Sequence, residues 1–151
     1  MESTLKHEES LMQMEVLRWF KLQYPHLARL LIGYPAGINL GVTARMRMKA
    51  MGLTAGVPDL QLLLPRIYPL KLLAESGMYF INEKRFCPGL FIELKTEDGK
   101  LSQIQKEYHE ILRSQRYTIV TCYSFEEAVV EIKKYLDGYN PSEMEIAHAY
   151  R

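Results

Sequence analysis

No acidic residue lies between Glu15 and Asp59, although Arg18, Lys21, Arg29, Arg45, Arg47 and Lys49 all fall in that interval. The C-terminal end carries the opposite bias, with Glu126, Glu127, Glu131, Asp137, Glu143 and Glu145. A formal net charge of +1 therefore conceals a segregated distribution. Such segregation suits a surface that faces a polyanion, and it equally suits solvated helix faces, so charge alone leaves both readings open. Cysteine is scarce too. Cys87 and Cys122 stand far apart without metal-ligand spacing, which excludes a disulfide framework and fits packed thiols in a reducing compartment. The histidines His7, His26, His109 and His148 are scattered, which argues against a zinc site built from paired ligands. Long apolar runs are missing: nothing approaches the ~20 residues that span a bilayer, and there is no cleavable apolar leader. The expectation is a cytoplasmic protein with no membrane partner.

Apolar side chains nevertheless make up 48% of the 151 residues, enough for one domain with a real core. We place that domain at 1–138, followed by a polar tail at 139–151. Met12, Val16, Trp19 and Phe20 recur at helical spacing and predict a helix over about 4–23, with Glu15 beside the stripe and Pro25 at its end. "ARLLIGYPAG" reads as a strand entering a turn, "TARMRMKAMG" as a short basic helix closed by Gly52, and "DLQLLLP" as a strand. The pattern is weakest over 66–88, where a loop, a hairpin, or a helix plus a strand all remain open. "GLFIELK" and "YTIVTCY" are strands. Each precedes a helix with a capping-box signature, Ser102 with Gln105 and Ser124 with Glu127. This order predicts an α/β fold, a mixed β-sheet flanked by α-helices.

Within "GLFIELK", Glu93 and Lys95 are two apart and share one strand face, while Ile92 and Leu94 take the other. Burying either charge costs several kcal/mol (about 3–5 if one partner is removed) unless something compensates. Asp59, after Pro58 at the start of the preceding strand, is a second acid. Two strand-borne carboxylates and a lysine compensate one another around a divalent cation, since Mg²⁺ takes one or two carboxylates together with waters and phosphate oxygens. The plainer alternatives are a half-exposed Glu93–Lys95 salt bridge and a turn role for Asp59 after proline.

"GVPDL", "FIELK" and "GKLSQIQ", with "YPAGINLG" and "TARMRMKAMGLTAG" upstream, resemble the VRR-NUC (virus-type replication-repair nuclease) domain of the PD-(D/E)XK nuclease superfamily in its stand-alone form. The order of these pieces carries the match more than any one of them. The resemblance implies a restriction-endonuclease-like PD-(D/E)XK core. It implies Asp59, Glu93 and the backbone carbonyl of Leu94 as Mg²⁺ ligands, with Mn²⁺ able to substitute, and Glu15 as the N-terminal acid completing the site. Lys95 would position the attacking water and offset charge on phosphate, and Gln105 would stand near it, beyond its capping role. The implied activity is endonucleolytic hydrolysis of phosphodiester bonds in branched, flap or junction DNA during replication, repair or recombination. The implied partners are DNA and a second copy in a homodimer, without an organic cofactor. Arg45, Arg47 and Lys49 are the backbone-contact candidates. A non-catalytic DNA-binding or assembly module of the same fold and a restriction-type endonuclease are the alternatives. Two departures stand out: the Pro35, Gly37 and Asn39 turn is rearranged, which leaves no clear role for Asn39, and 66–88 is inserted between the two active-site strands. A segment of that length is expected to carry local structure.

Overall fold

A computed structural model describes residues 2–34, 41–74 and 77–137. The turn with Pro35, Gly37 and Asn39, and the tail after residue 137, lie outside the described residues. Helix α1 (Glu2–Gln23) ends ahead of a 3-10 turn at Pro25–Leu27, where proline takes the first position that needs no amide donor. Strand β1 (Leu31–Gly33), helix α2 (Val42–Ala50) and strand β2 (Leu60–Leu62) follow. Strands β3 (Arg66–Ala74) and β4 (Gly77–Cys87) come next, then β5 (Leu90–Leu94), α3 (Gln103–Ser114), β6 (Thr118–Cys122) and α4 (Phe125–Leu136).

The central sheet has the order β1-β2-β5-β6, antiparallel at the first two junctions and parallel at β5–β6. Helices α1 and α4 lie against one face of this mixed sheet and α3 against the other, the α/β arrangement expected from the order of elements. The open segment resolves as a hairpin: β3 and β4 pair antiparallel, with a register shift between Pro69 and Lys71, and form their own two-stranded sheet. Among the described residues of this segment there is no helix, so the third alternative does not apply to them.

Alternation along the strands decides what each sheet face holds. Leu60, Leu62, Leu90, Ile92 and Leu94 join Val16 and Phe20 of α1 and Ala128, Ile132 and Tyr135 of α4 in one buried cluster. Trp19 ties the two helices together, edge-on to Phe125 at 6.4 Å between ring centroids, with the Lys133 ammonium 5.9 Å above its ring. The intervening residues Gln61, Phe91 and Glu93 take the other face. β5 is buried along its whole length, so the acid it carries there is buried as well.

Two glycines set the approach to the site. Gly52 ends α2 at φ +99°, with its own amide on the Lys49 carbonyl and that of Leu53 on the Met48 carbonyl, the paired bonds of a Schellman end. Gly56, at φ +86°, lies so close to α3 that a Cβ there would stand 2.7 Å from the Ile104 carbonyl oxygen. The loop leading to Asp59 is thereby pressed against the first turn of α3.

Candidate active site

β2 and β5 run antiparallel with Leu60 opposite Ile92, and continuing that register sets Asp59 opposite Glu93. The Asp59 carboxylate accepts a hydrogen bond from the Leu94 amide at 2.8 Å through Oδ2, which fixes it across the strand. Lys95 Nζ donates to Glu93 Oε1 at 2.5 Å and to the Leu94 carbonyl at 3.0 Å. Asp59, Glu93 and Lys95 are only 6%, 1% and 7% exposed, so the reading of Glu93–Lys95 as a half-exposed surface pair does not describe them. Asp59 is likewise more than a turn residue.

The Gln105 side chain bonds in two directions. Its side-chain oxygen accepts from the Ser102 amide at 2.9 Å, closing the capping box, while its Nε2 donates to Glu93 Oε1. The helix start and the acid on β5 are joined by one amide. The second box closes differently: Ser124 Oγ accepts from the Glu127 amide at 3.1 Å, but Glu127 accepts from the Tyr123 amide, one residue before the cap.

α1 brings an acid other than Glu15 to this cluster. Glu15 is exposed on α1, whereas Glu9 Oε1 lies 3.4 Å from Lys95 Nζ. Helical phase explains the difference. Glu9, Gln13, Val16 and Phe20 succeed one another at spacings of four, three and four along the buried side, and Glu15 is about a third of a turn from the centre of that stripe. Gln13 was missed for the same reason. Its Nε2 donates to the carbonyls of Tyr34 at 2.8 Å and Asp59 at 2.9 Å, clamping the backbone that carries the acid.

Glu93 and Glu9 thus flank the Lys95 ammonium, and Asp59 adds its charge from farther away. Burial, and then the charge of Asp59, push the Glu93 carboxyl up to about 7 despite its bond to Lys95. Burial also raises Asp59, against the Leu94 amide and Lys95, which act to lower it. Burial acts to lower Lys95, but the hydrogen bond and charge of Glu93, with Glu9 and Asp59, outweigh it and raise the ammonium above its ordinary value. A lysine held in its charged form suits positioning and charge stabilisation better than proton abstraction.

His109 is a further residue that sequence reasoning did not single out. It follows Gln105 by one helical turn on α3, is 1% exposed, and places Nε2 3.7 Å from Glu93 Oε2. Neither of its ring nitrogens nor Glu93 Oε2 has a hydrogen-bond partner among the described residues. Buried polar atoms left so cost about 1–3 kcal/mol each, so this corner holds unspent bonding capacity. Burial, then Arg113 and Lys95, lower the His109 pKa and so favour the uncharged ring beside Glu93. The only available sequence signal was its spacing of four from Gln105.

Arg45, Arg47 and Lys49 are exposed on α2, a helix with no buried side chain among the described residues. Arg45 and Lys49 share a face at a spacing of four, and Arg47 lies on another.

The donor set suits a hard cation. Two buried carboxylates, one of which raises the pKa of the other, and a backbone carbonyl at Leu94 are the kind of oxygen ligands Mg²⁺ uses. Among the described residues no three or more His, Cys, Asp or Glu side chains are gathered so that they could hold a metal ion by themselves.

No family model matches the sequence, and no curated protein does. Among solved structures, the fold is similar to that of a protein titled "VRR_NUC domain protein", with a TM-score of 0.58, 24% identity, and coverage of 85% of this chain and 88% of that one. The fold is therefore VRR-NUC-like, a mixed α/β domain. Among the described residues no helix is long and apolar enough to cross a membrane.

Proposed function

We propose that this protein is a metal-dependent nuclease that hydrolyses phosphodiester bonds in DNA. The observation carrying that reading is the buried cluster at the β2–β5 junction, where Asp59 and Glu93 face each other around the Lys95 ammonium and the Leu94 carbonyl. Similarity to a VRR_NUC domain structure supports it at the level of fold. Asp59, Glu93 and the Leu94 carbonyl would hold Mg²⁺ or Mn²⁺, with Glu9, rather than Glu15, as the acid contributed by α1. When bound, the cation supplies a polarised phosphoryl oxygen and a water of lowered pKa.

The chain's own residues do the rest. Water attacks phosphorus and the bond to the leaving sugar oxygen breaks. Lys95, held protonated, sits where it orients that water and offsets the charge that gathers on phosphate. Gln105 holds Glu93 Oε1, and Gln13 holds the Asp59 backbone, so neither acid must reorganise during the step. Arg45 and Lys49 grip the DNA backbone from α2, contacts that give affinity and register without sequence readout. A preference for branched, flap or junction DNA and a homodimeric state belong to the same proposal, on the strength of the sequence resemblance to stand-alone VRR-NUC nucleases.

The test is incubation of the protein with labelled linear duplex, flap and four-way-junction DNA, in Mg²⁺, in Mn²⁺ and in EDTA, beside Asp59→Asn. Cleavage that needs the cation and is lost in the variant is the expected result. DNA binding without cleavage of any substrate in either metal would leave a non-catalytic binding module of the same fold.

A further inference from the structure

We propose that His109 is a positioning residue for Glu93, donating from Nε2 to the carboxylate oxygen that Lys95 and Gln105 leave bare. The inference rests on the metal-nuclease reading above and adds to it a residue that neither the motif nor the strand pattern marks. Its basis is a coincidence of three unpartnered atoms. Glu93 Oε1 takes both Lys95 and Gln105, so Oε2 is left buried without a partner, and the two ring nitrogens of His109 are buried without partners beside it.

Gln105 and His109 stand one helical turn apart on α3, the spacing that sets two side chains on one face. One turn addresses Oε1 and the next addresses Oε2. The 3.7 Å separation of Nε2 and Oε2 is less than an ångström beyond the usual ~2.7–3.2 Å of an N–H···O bond. Hydrogen bonds of this kind are commonly long in an unloaded site and tighten when it is loaded. A ring N–H at Nε2 orients the carboxylate, and a carboxylate oxygen has a second lone pair that remains for a cation. A lysine or arginine there would instead compete with the metal. Simple packing gives no reason for the residue, because leucine fills a similar buried position on the same helix at Leu112.

Removing a hydrogen-bond partner of a metal ligand typically weakens metal affinity ~10–100-fold. The experiment is Mn²⁺ titration calorimetry on the full chain, with single-turnover DNA cleavage and melting temperature measured on the same samples, for wild type, His109→Leu, His109→Gln and His109→Asn. Glutamine carries its N–H near the reach of Nε2, whereas asparagine reaches only as far as Nδ1. The expected pattern is Mn²⁺ affinity at least ~10-fold weaker in the leucine variant. Its cleavage rate falls with unchanged DNA affinity, its melting temperature is not lowered, and glutamine restores binding better than asparagine. Unchanged Mn²⁺ affinity in His109→Leu overturns the inference, as does a glutamine variant as defective as the leucine one. A wild-type protein that binds no Mn²⁺ overturns the nuclease reading itself, a separate and recognisable result.

Discussion

At the scale of single residues, the site is governed by the burial of more negative than positive charge. Glu93 is the clearest case, its carboxyl pushed up to about 7 from 4.5 by burial and by Asp59. Below about pH 4.5 both folded and unfolded chains hold this proton. Between about 4.5 and 7 the unfolded chain releases it first, so the folded state loses stability as pH rises, by roughly 3 kcal/mol at most. Asp59, also raised, acts in the same sense, while His109, lowered from 6.5, acts in the opposite one on the acid side. The Glu93 contribution is therefore isolated by difference. In EDTA, melting temperature should fall from pH 5 to pH 8 more steeply for wild type than for Glu93→Gln, and saturating Mg²⁺ should remove most of that difference at pH 8. A second expectation follows from helical phase: Glu9→Gln weakens Mn²⁺ binding several-fold in calorimetry, and Glu15→Gln leaves it unchanged. Glu93, Lys95 and Asp59 were legible in the sequence because a strand's period of two leaves no freedom over which residues share a face. Glu9 was not. On a helix the choice between acids six residues apart depends on which side meets the sheet, and that is decided by packing.

At the scale of elements, the site depends on how tightly the loop before β2 is held against α3. Gly56 has a positive φ and no room for a Cβ, because backbone rather than a yielding side chain faces it at 2.7 Å. Gly56→Ala should therefore cost about 1–3 kcal/mol in urea unfolding. It should also displace Ile104 and with it the neighbouring Gln105, so that cleavage falls by more than the loss of folded protein explains. Loss of stability with no change in specific activity would show that α3 carries Gln105 independently of the loop. The capping box that starts this helix was readable from Ser102 and Gln105 alone, since capping is local chemistry over three residues. The same logic misjudged Ser124 and Glu127 in part, because the Glu127 side chain found the Tyr123 amide instead. The hairpin of β3 and β4 was not readable, because its sequence alternates too weakly to separate a strand from a loop.

At the scale of the whole molecule, one apolar face of a four-stranded sheet packs on α1 and α4 while its other face carries the charged cluster. The mixed sheet was legible because the elements alternate in type along the chain. The crossing of β2 to β5 through an inserted hairpin was not, since nothing local in a sequence reports which strands become neighbours. Among the described residues β3 and β4 pair only with each other, so the central sheet does not depend on them for hydrogen bonds. Replacing 68–85 by a short turn, while keeping the buried Arg66 and Cys87, should shift the melting temperature by no more than about 5 °C and leave Mn²⁺ affinity unchanged. Collapse of the fold would instead make the hairpin part of the core. The central claim is that the buried Asp59–Glu93–Lys95 cluster hydrolyses a phosphodiester bond. Its most direct test is the single-turnover cleavage rate of labelled junction DNA at saturating Mg²⁺ and protein, for wild type and Lys95→Ala. The expected result is a rate about 100-fold or more lower in the variant, with DNA affinity unchanged. Equal rates for the two proteins would contradict the claim.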